Sequence, residues 1–303
     1  MSLLLAYPNG RRVEPSPNEF LMPCWEYLFA FSDCGSRRER CFDRQSKPEE
    51  QVLIDTTYFI ITKPIQIMNK LLEIEGTTLV GCAIDAKGCI TIPKGVTSID
   101  EKAFLYGKDF TSIKLPNSMT EIGNWVFSNC SKLSSIKIPN SVTELGCLTF
   151  LNCESLTSIT IPNSVTKIGT SCFFGCTNLA SIKIPNRVTM IDHLTFAGCT
   201  CLTNIEIPNS VTEINSFAFL NCKSLTSIAI PESVTNLGYG IFDECTALRE
   251  IHCRIEHFSD VKTFDSFKGI DKSQITVYVP AGTEDKYRHH PEFQGFKAIV
   301  VEK

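Results

Sequence analysis

Hydrophobic positions along this chain return at a fixed interval. From Ile92 onward the pattern I-P-N-S-V-T-x-I-G-x-x-x-F-x-x-C-x-x-L-x-S-I-x recurs every 23 residues through seven copies, with prolines at Pro93, Pro116, Pro139, Pro162, Pro185, Pro208 and Pro231. A constant period of this length is the signature of a solenoid, each copy being one coil. Within a copy, L-x-S-I-x-I alternates as a half-buried strand does and ends at a proline that cannot donate to a ladder. Pro-Asn or Pro-Glu then suits a turn, and V-T-x-I supplies a second short strand. Gly123, Gly146, Gly169, Asp192 or Asn215 follows, which fits a tight bend or the cap of a brief helical turn.

The remaining apolar slots belong to the core. Phe104, Phe127, Phe150, Phe173, Phe196, Phe219 and Phe242 share one slot; three residues later come Cys130, Cys153, Cys176, Cys199, Cys222 and Cys245, with Gly107 in the first copy. A lone coil cannot bury its apolar edge, so the coils stack, line like residues up on like and pair their strands in parallel. At a strand spacing of ~4.8 Å seven copies make a rod about 30 Å long. The fold class expected is a repeat solenoid, mainly β with short helical or 3-10 turns. Residues 1–75 form an N-terminal region or cap, 76–253 the solenoid and 254–303 a C-terminal cap.

The chain has fifteen cysteines among 303 residues, but a disulfide framework is an inference for short secreted chains. Equivalent thiols on successive coils run parallel at the strand spacing, whereas a disulfide needs Cβ atoms nearer ~3.8 Å and crossed. The row reads as buried free thiols filling a coil corner. A straight row also makes no tetrahedron for zinc.

Charge and composition narrow the function. The net charge of -4 leaves no electrostatic footprint for nucleic acid. The basic cluster Arg37, Arg38, Arg40 and Arg44 is interrupted by Glu39 and Asp43 and reads as a solvated face. No apolar run approaches the ~20 residues of a membrane span. Leu3 to Ala6 is too short for the apolar core of a secretory signal, and no basic residue precedes it.

Slots that vary between copies are where recognition is expected. The sixth position is Thr in every copy, from Thr97 to Thr235, and reads as a structural ladder. Two residues before the Phe, Lys102, Trp125, Leu148, Ser171, Leu194, Phe217 and Gly240 alternate widely. Trp125, Leu148, Leu194 and Phe217 either form an exposed apolar stripe that binds a partner or lean onto the neighbouring coil as packing. Just before Ile-Pro, Lys114, Lys137, Thr160, Lys183, Glu206, Ala229 and His252 share a strand face with Ser112, Ser135, Ser158, Ser181, Asn204 and Ser227. That open polar face, with Lys114, Lys137 and Lys183, is the second candidate; a solvated face with no partner is its alternative.

The stretch IPNSVTEIGNWVFSNCSKLSSI resembles the repeat of the BspA-like leucine-rich repeat proteins. The likeness runs from about Gly76 to Lys303. GTTLVGCAIDAKGCITIPKGVTSIDEKAF is similar to the start of such arrays, and ITVYVPAGTEDKYRHHPEFQGFKAIVVEK resembles a C-terminal segment common in surface proteins of Bacteroidetes bacteria. The resemblance implies a right-handed leucine-rich-repeat-like solenoid and a non-catalytic recognition or adhesion scaffold. Its expected partners are proteins or glycans at the cell surface or outside the cell; a cytoplasmic interaction scaffold is the alternative. A monomer is expected.

Catalytic and metal-binding patterns are scarce. The histidines, His193, His252, His257, His289 and His290, lie in no catalytic motif, and there is no phosphate loop, His-Glu-x-x-His or Cys-x-x-Cys. No enzyme and no cofactor are expected. Cys24, Cys34 and Cys41 leave a metal site or a Cys-His pair across regions as distant alternatives to a packed cap over the first coil. In that region Tyr58 to Thr62 reads as a strand and Ile65 to Glu73 as a short helix after Pro64. Cys253 and Arg254 replace Ile-Pro, so the array is expected to end there, with Phe264 to Val301 as the closing cap.

Overall fold

A computed structural model describes residues 5–6, 12–13, 72–83, 86–101, 103–104 and 109–302. The chain divides into two compact units, Met1–Gln66 and Ile67–Lys303. In the first, Leu5–Ala6 pairs antiparallel with Arg12–Val13. The expected strand at Tyr58 to Thr62 and the head cysteines lie outside the described residues.

The second unit is a β-solenoid of about 9 turns. It opens with a hairpin: Leu72–Glu75 runs antiparallel to Thr78–Cys82, and Gly76 supplies the positive φ of the two-residue turn. Leu72 and Glu73 are therefore strand and not the end of a helix, because their side chains alternate across the hairpin and pair with Cys82 and Gly81.

Two rows of short parallel strands follow, one for each alternating segment of the repeat. In the first, Lys87–Thr91, Asp109–Lys114, Ser135–Lys137 and Ser158–Thr160 form one sheet, and Ile113, Ile136 and Ile159 pair in register. The second row includes Met190–Ile191, Glu213–Ile214 and Asn236–Leu237. Each three-residue strand of the first row buries only its central isoleucine, which is why period-2 alternation is visible in the sequence. Both rows run on past Cys253: Lys262–Thr263 pairs with Asn236–Leu237, Thr276–Val279 with Glu250–Cys253, and Ala298–Val301 closes the first row. Coil geometry thus outlasts the Ile-Pro motif.

The phenylalanines form a spine. From Phe127 to Phe242 neighbouring rings stack with centroids 5.3–5.6 Å apart, and Phe267 extends the stack at 6.3 Å. The rings from Phe104 to Phe267 are fully buried. Instead of a helical turn, this side of each coil is a string of tight turns: the Ser128 amide donates to Trp125 O, the Cys130 amide to Phe127 O and the Leu133 amide to Cys130 O. The described helical segments are Glu284–His289 and three single 3-10 turns, all after the repeats.

Amides on the turn side bond the next coil. Trp125, Phe127 and Asn129 donate to Cys147, Thr149 and Leu151, and the same pattern recurs on later coils. Two residues per coil reach this geometry in the left-handed region. One slot holds Trp125, Leu148, Ser171, Leu194, Phe217 and Gly240; the other holds Asn129, Asn152, Gly175, Gly198, Asn221 and Glu244. Asn and Gly tolerate that conformation well, which explains the second slot's composition.

Candidate recognition surface

The thiol row is part of the scaffold. Cys153 donates to Phe127 O at 3.2 Å, Cys176 to Phe150 O at 3.2 Å, Cys199 to Phe173 O at 3.3 Å and Cys245 to Phe219 O at 3.1 Å. Each thiol therefore ties its coil to the coil before. All six row cysteines are buried and free. Burial disfavours the thiolate, pushing Cys176 up to about 12 and Cys153, Cys199 and Cys222 well above the usual thiol range. Burial and the bonds to the preceding coil give these thiols a structural role.

The serine of I-P-N-S-V-T also reaches the preceding coil. Ser164 donates to Val142 O at 2.7 Å, Ser210 to Val188 O at 2.7 Å and Ser233 to Val211 O at 2.6 Å. The threonine row behaves as expected of a ladder: the Thr166 amide donates to Thr143 O and the Thr235 amide to Thr212 O, both at 2.8 Å. The Asp of the bend slot bonds Thr170 Oγ1 at 2.8 Å through its own carboxylate at Asp192. At Gly146 a Cβ would lie 2.5 Å from the preceding coil's backbone, so glycine there serves close approach.

The expected apolar stripe is not on the surface. Leu148 is 0% exposed, Leu194 and Phe217 are 7% exposed, and Trp125 is half-buried. The slot has a left-handed backbone from Trp125 to Gly240. Phe217 packs edge-on against Tyr239 at 5.3 Å, and a Cβ on Gly240, the same slot one coil later, would come within 3.1 Å of its ring. Gly240 makes room for Phe217, so the variability reflects matched neighbours, and the packing alternative holds for this row.

The strand face is polar and open. Lys114, Lys137, Thr160, Lys183 and Glu206 are exposed, with Ser135, Ser158, Ser181 and Asn204 beside them. Ion pairs among the described residues do not include the three lysines. Toward the C-terminal end the same face turns acidic and aromatic: His252 stacks on Tyr278, with Glu250 and Glu302 beside it. Sequence reasoning placed His252 in the row but missed Tyr278, whose coil departs from the 23-residue spacing. A cleft of about 1000 Å³ opens on this part of the face. A smaller one, about 450 Å³, lies by the second strand row and is lined by Glu101, Glu121, Glu144 and Lys167. Among the described residues no cluster of His, Cys, Asp and Glu has metal-binding geometry, and no helix is long and apolar enough to cross a membrane.

A family model for the BspA type leucine rich repeat region, in 6 copies, matches residues 73–200 and 166–277. The chain belongs to this family. Solved structures of similar fold include a leucine rich cell surface protein from Faecalibacterium prausnitzii A2-165, with TM-score 0.54, 24% identity, and coverage of 77% of this chain and 73% of that one. A leucine-rich repeat protein from Eubacterium ventriosum aligns with TM-score 0.52 and 27% identity over 57% of this chain, which spans 47% of that protein's length. No curated protein matches the chain.

Proposed function

We propose that this BspA-type solenoid is a non-catalytic recognition scaffold that docks a protein or glycan through the polar face of its first strand row. The observation that carries this reading is the division of labour between slots. Phe, Cys, Leu, Ile and the left-handed slot from Leu148 to Gly240 are buried, whereas Lys114, Lys137, Lys183 and Glu206 stand exposed, in register, on one face. A repeat fold fixes the surface and leaves specificity to such residues. Similarity in fold to a cell surface protein supports adhesion at the cell surface.

A second reading, an interaction scaffold inside the cell, is favoured by the exposed free thiols of Cys89 and Cys201, which persist most readily in a reducing compartment. Protease treatment of intact cells separates the two: digestion supports the surface, and full protection sinks it. Reversing Lys114, Lys137 and Lys183 to Glu tests the face. Loss of ligand binding with an unchanged melting transition is expected, and unchanged binding would overturn the assignment.

A further inference from the structure

On the polar face, Lys183, Glu206, Ala229, His252 and Tyr278 occupy successive coils; Lys183 pairs in register with Glu206, Ala229 with His252, and His252 with Tyr278. The His252 and Tyr278 rings are 4.6 Å apart and tilted by only 8°. That separation matches the ~4.8 Å strand spacing, so the rings stand across the row and stack along it. Tyr278 covers one face of the imidazole. The other is directed toward the preceding coil, where Ala229 offers only a methyl group. The next side chain along the row is Glu206, two strand spacings or about 9.5 Å from the ring.

The 1000 Å³ cleft opens in that gap, with Ser227 and Ala229 beneath it and Asn204, Asn209, Glu206 and His252 around it. One wall is a π face, the opposite wall a carboxylate, and the spacing admits one flat group between them. Charge decides which flat group. Among the charged residues lining the cleft, Glu206 and Glu302 are acidic and Arg254 is basic, and Glu250 lies beside His252. Lys183 lies on the side of Glu206 away from Ala229, and Arg254 is 3.8 Å from Glu302. His252 sits 3.3 Å from Glu302 and 3.6 Å from Glu250. The Glu206 carboxylate thus faces the gap without an ion pair among the described residues.

We infer that the cleft over Ala229 takes an arginine side chain of a partner protein, its guanidinium stacked on His252 and forked onto Glu206. A guanidinium is flat, weakly hydrated and bidentate toward carboxylates, whereas an ammonium has no face to stack and a neutral sugar leaves the Glu206 charge uncompensated. Buried arginines are common anchors of protein interfaces. The inference rests on the polar face being the docking surface and adds the partner's polarity: basic over the C-terminal coils, acidic over Lys114 and Lys137.

The test uses the full chain and N-acetylarginine methylamide as probe, followed by saturation-transfer NMR, with the citrulline analogue as its uncharged flat isostere. Saturable binding is expected, weaker by about tenfold for citrulline because the charge-assisted bond is lost. Glu206→Gln should reduce arginine binding to the citrulline level, and Ala229→Leu, which fills the gap, should abolish it while both variants melt as wild type. Equal binding of the two probes, no saturable binding, or maltohexaose binding that Ala229→Leu blocks would each overturn the arginine assignment. If lysine reversal abolishes partner binding and Ala229→Leu does not, the face stands and the arginine cleft falls.

Discussion

Leu148 offers a sharp test of the corrected slot because burial and backbone conformation pull its substitutions in opposite directions. It is 0% exposed and has φ 58°. Truncation to Ala removes three buried carbon groups at about 0.8 kcal/mol each, and the cavity left behind raises the loss to about 3 kcal/mol. Ala keeps a Cβ in the left-handed region; Gly does not. Going on to Gly forfeits another methyl, about 0.8 kcal/mol, and loosens the unfolded chain by about 0.7 kcal/mol. It also relieves about 1–2 kcal/mol of left-handed strain. Leu148→Gly should therefore match Leu148→Ala to within about 0.5 kcal/mol.

Leu145 is the control, fully buried but in the strand Glu144–Leu145 without a positive φ. There the Gly variant should fall about 1.5 kcal/mol below the Ala variant. Denaturant midpoints followed by circular dichroism give all four values, provided the slopes agree. A Leu148→Ala loss under about 0.5 kcal/mol would mean the slot is exposed after all. A Gly penalty at 148 equal to that at 145 would refute the strain argument.

Other expectations follow from the rungs and the cap. Native labelling at pH 8 should modify Cys89 and Cys201 before any row thiol, since those two are exposed and the row is buried; early mass shifts at Cys176 would contradict this. Because the row pKa values are raised on folding, stability should be flat below the unfolded thiol value near 9 and fall as pH rises from there toward about 12. A Cys176→Ala variant should show a shallower alkaline decline. Arg187 occupies the serine slot, so Arg187→Ser restores a missing donor toward the preceding coil and should gain about 1 kcal/mol, while Ser164→Ala loses a similar amount. Tyr287 is 1% exposed and donates to Ile255 O, so Tyr287→Phe should lower the unfolding free energy by about 1–2 kcal/mol in denaturant titration, mainly by leaving that carbonyl unpaired.

The solenoid was legible because its physics is periodic. Ile113, Ile136 and Ile159 announce a strand face, and the Phe row announces a spine, at identical spacing. The left-handed slot was harder to read. Trp125, Leu148 and Phe217 are types that rarely adopt positive φ, so their variability looked like exposure; the companion slot of Asn129, Asn152, Gly175 and Gly198 carried the readable signal for such a backbone. Continuation past Cys253 was hidden because Phe267 and Tyr278 sit off the 23-residue register while their coil still stacks. The Ser164 type of rung was missed because a serine in a turn sequence already has a local explanation.

On the proposed function, the constant letters hold the scaffold and the strand-face letters bind. This division is tested most directly by measuring wild type, the Lys114→Glu, Lys137→Glu, Lys183→Glu triple variant and Leu148→Ala side by side against immobilised matrix proteins and glycans, with melting curves for each. The triple variant should lose binding at an unchanged melting temperature, whereas Leu148→Ala should melt earlier yet bind normally per folded molecule. Binding that survives charge reversal but disappears with Leu148→Ala below its melting transition would contradict it.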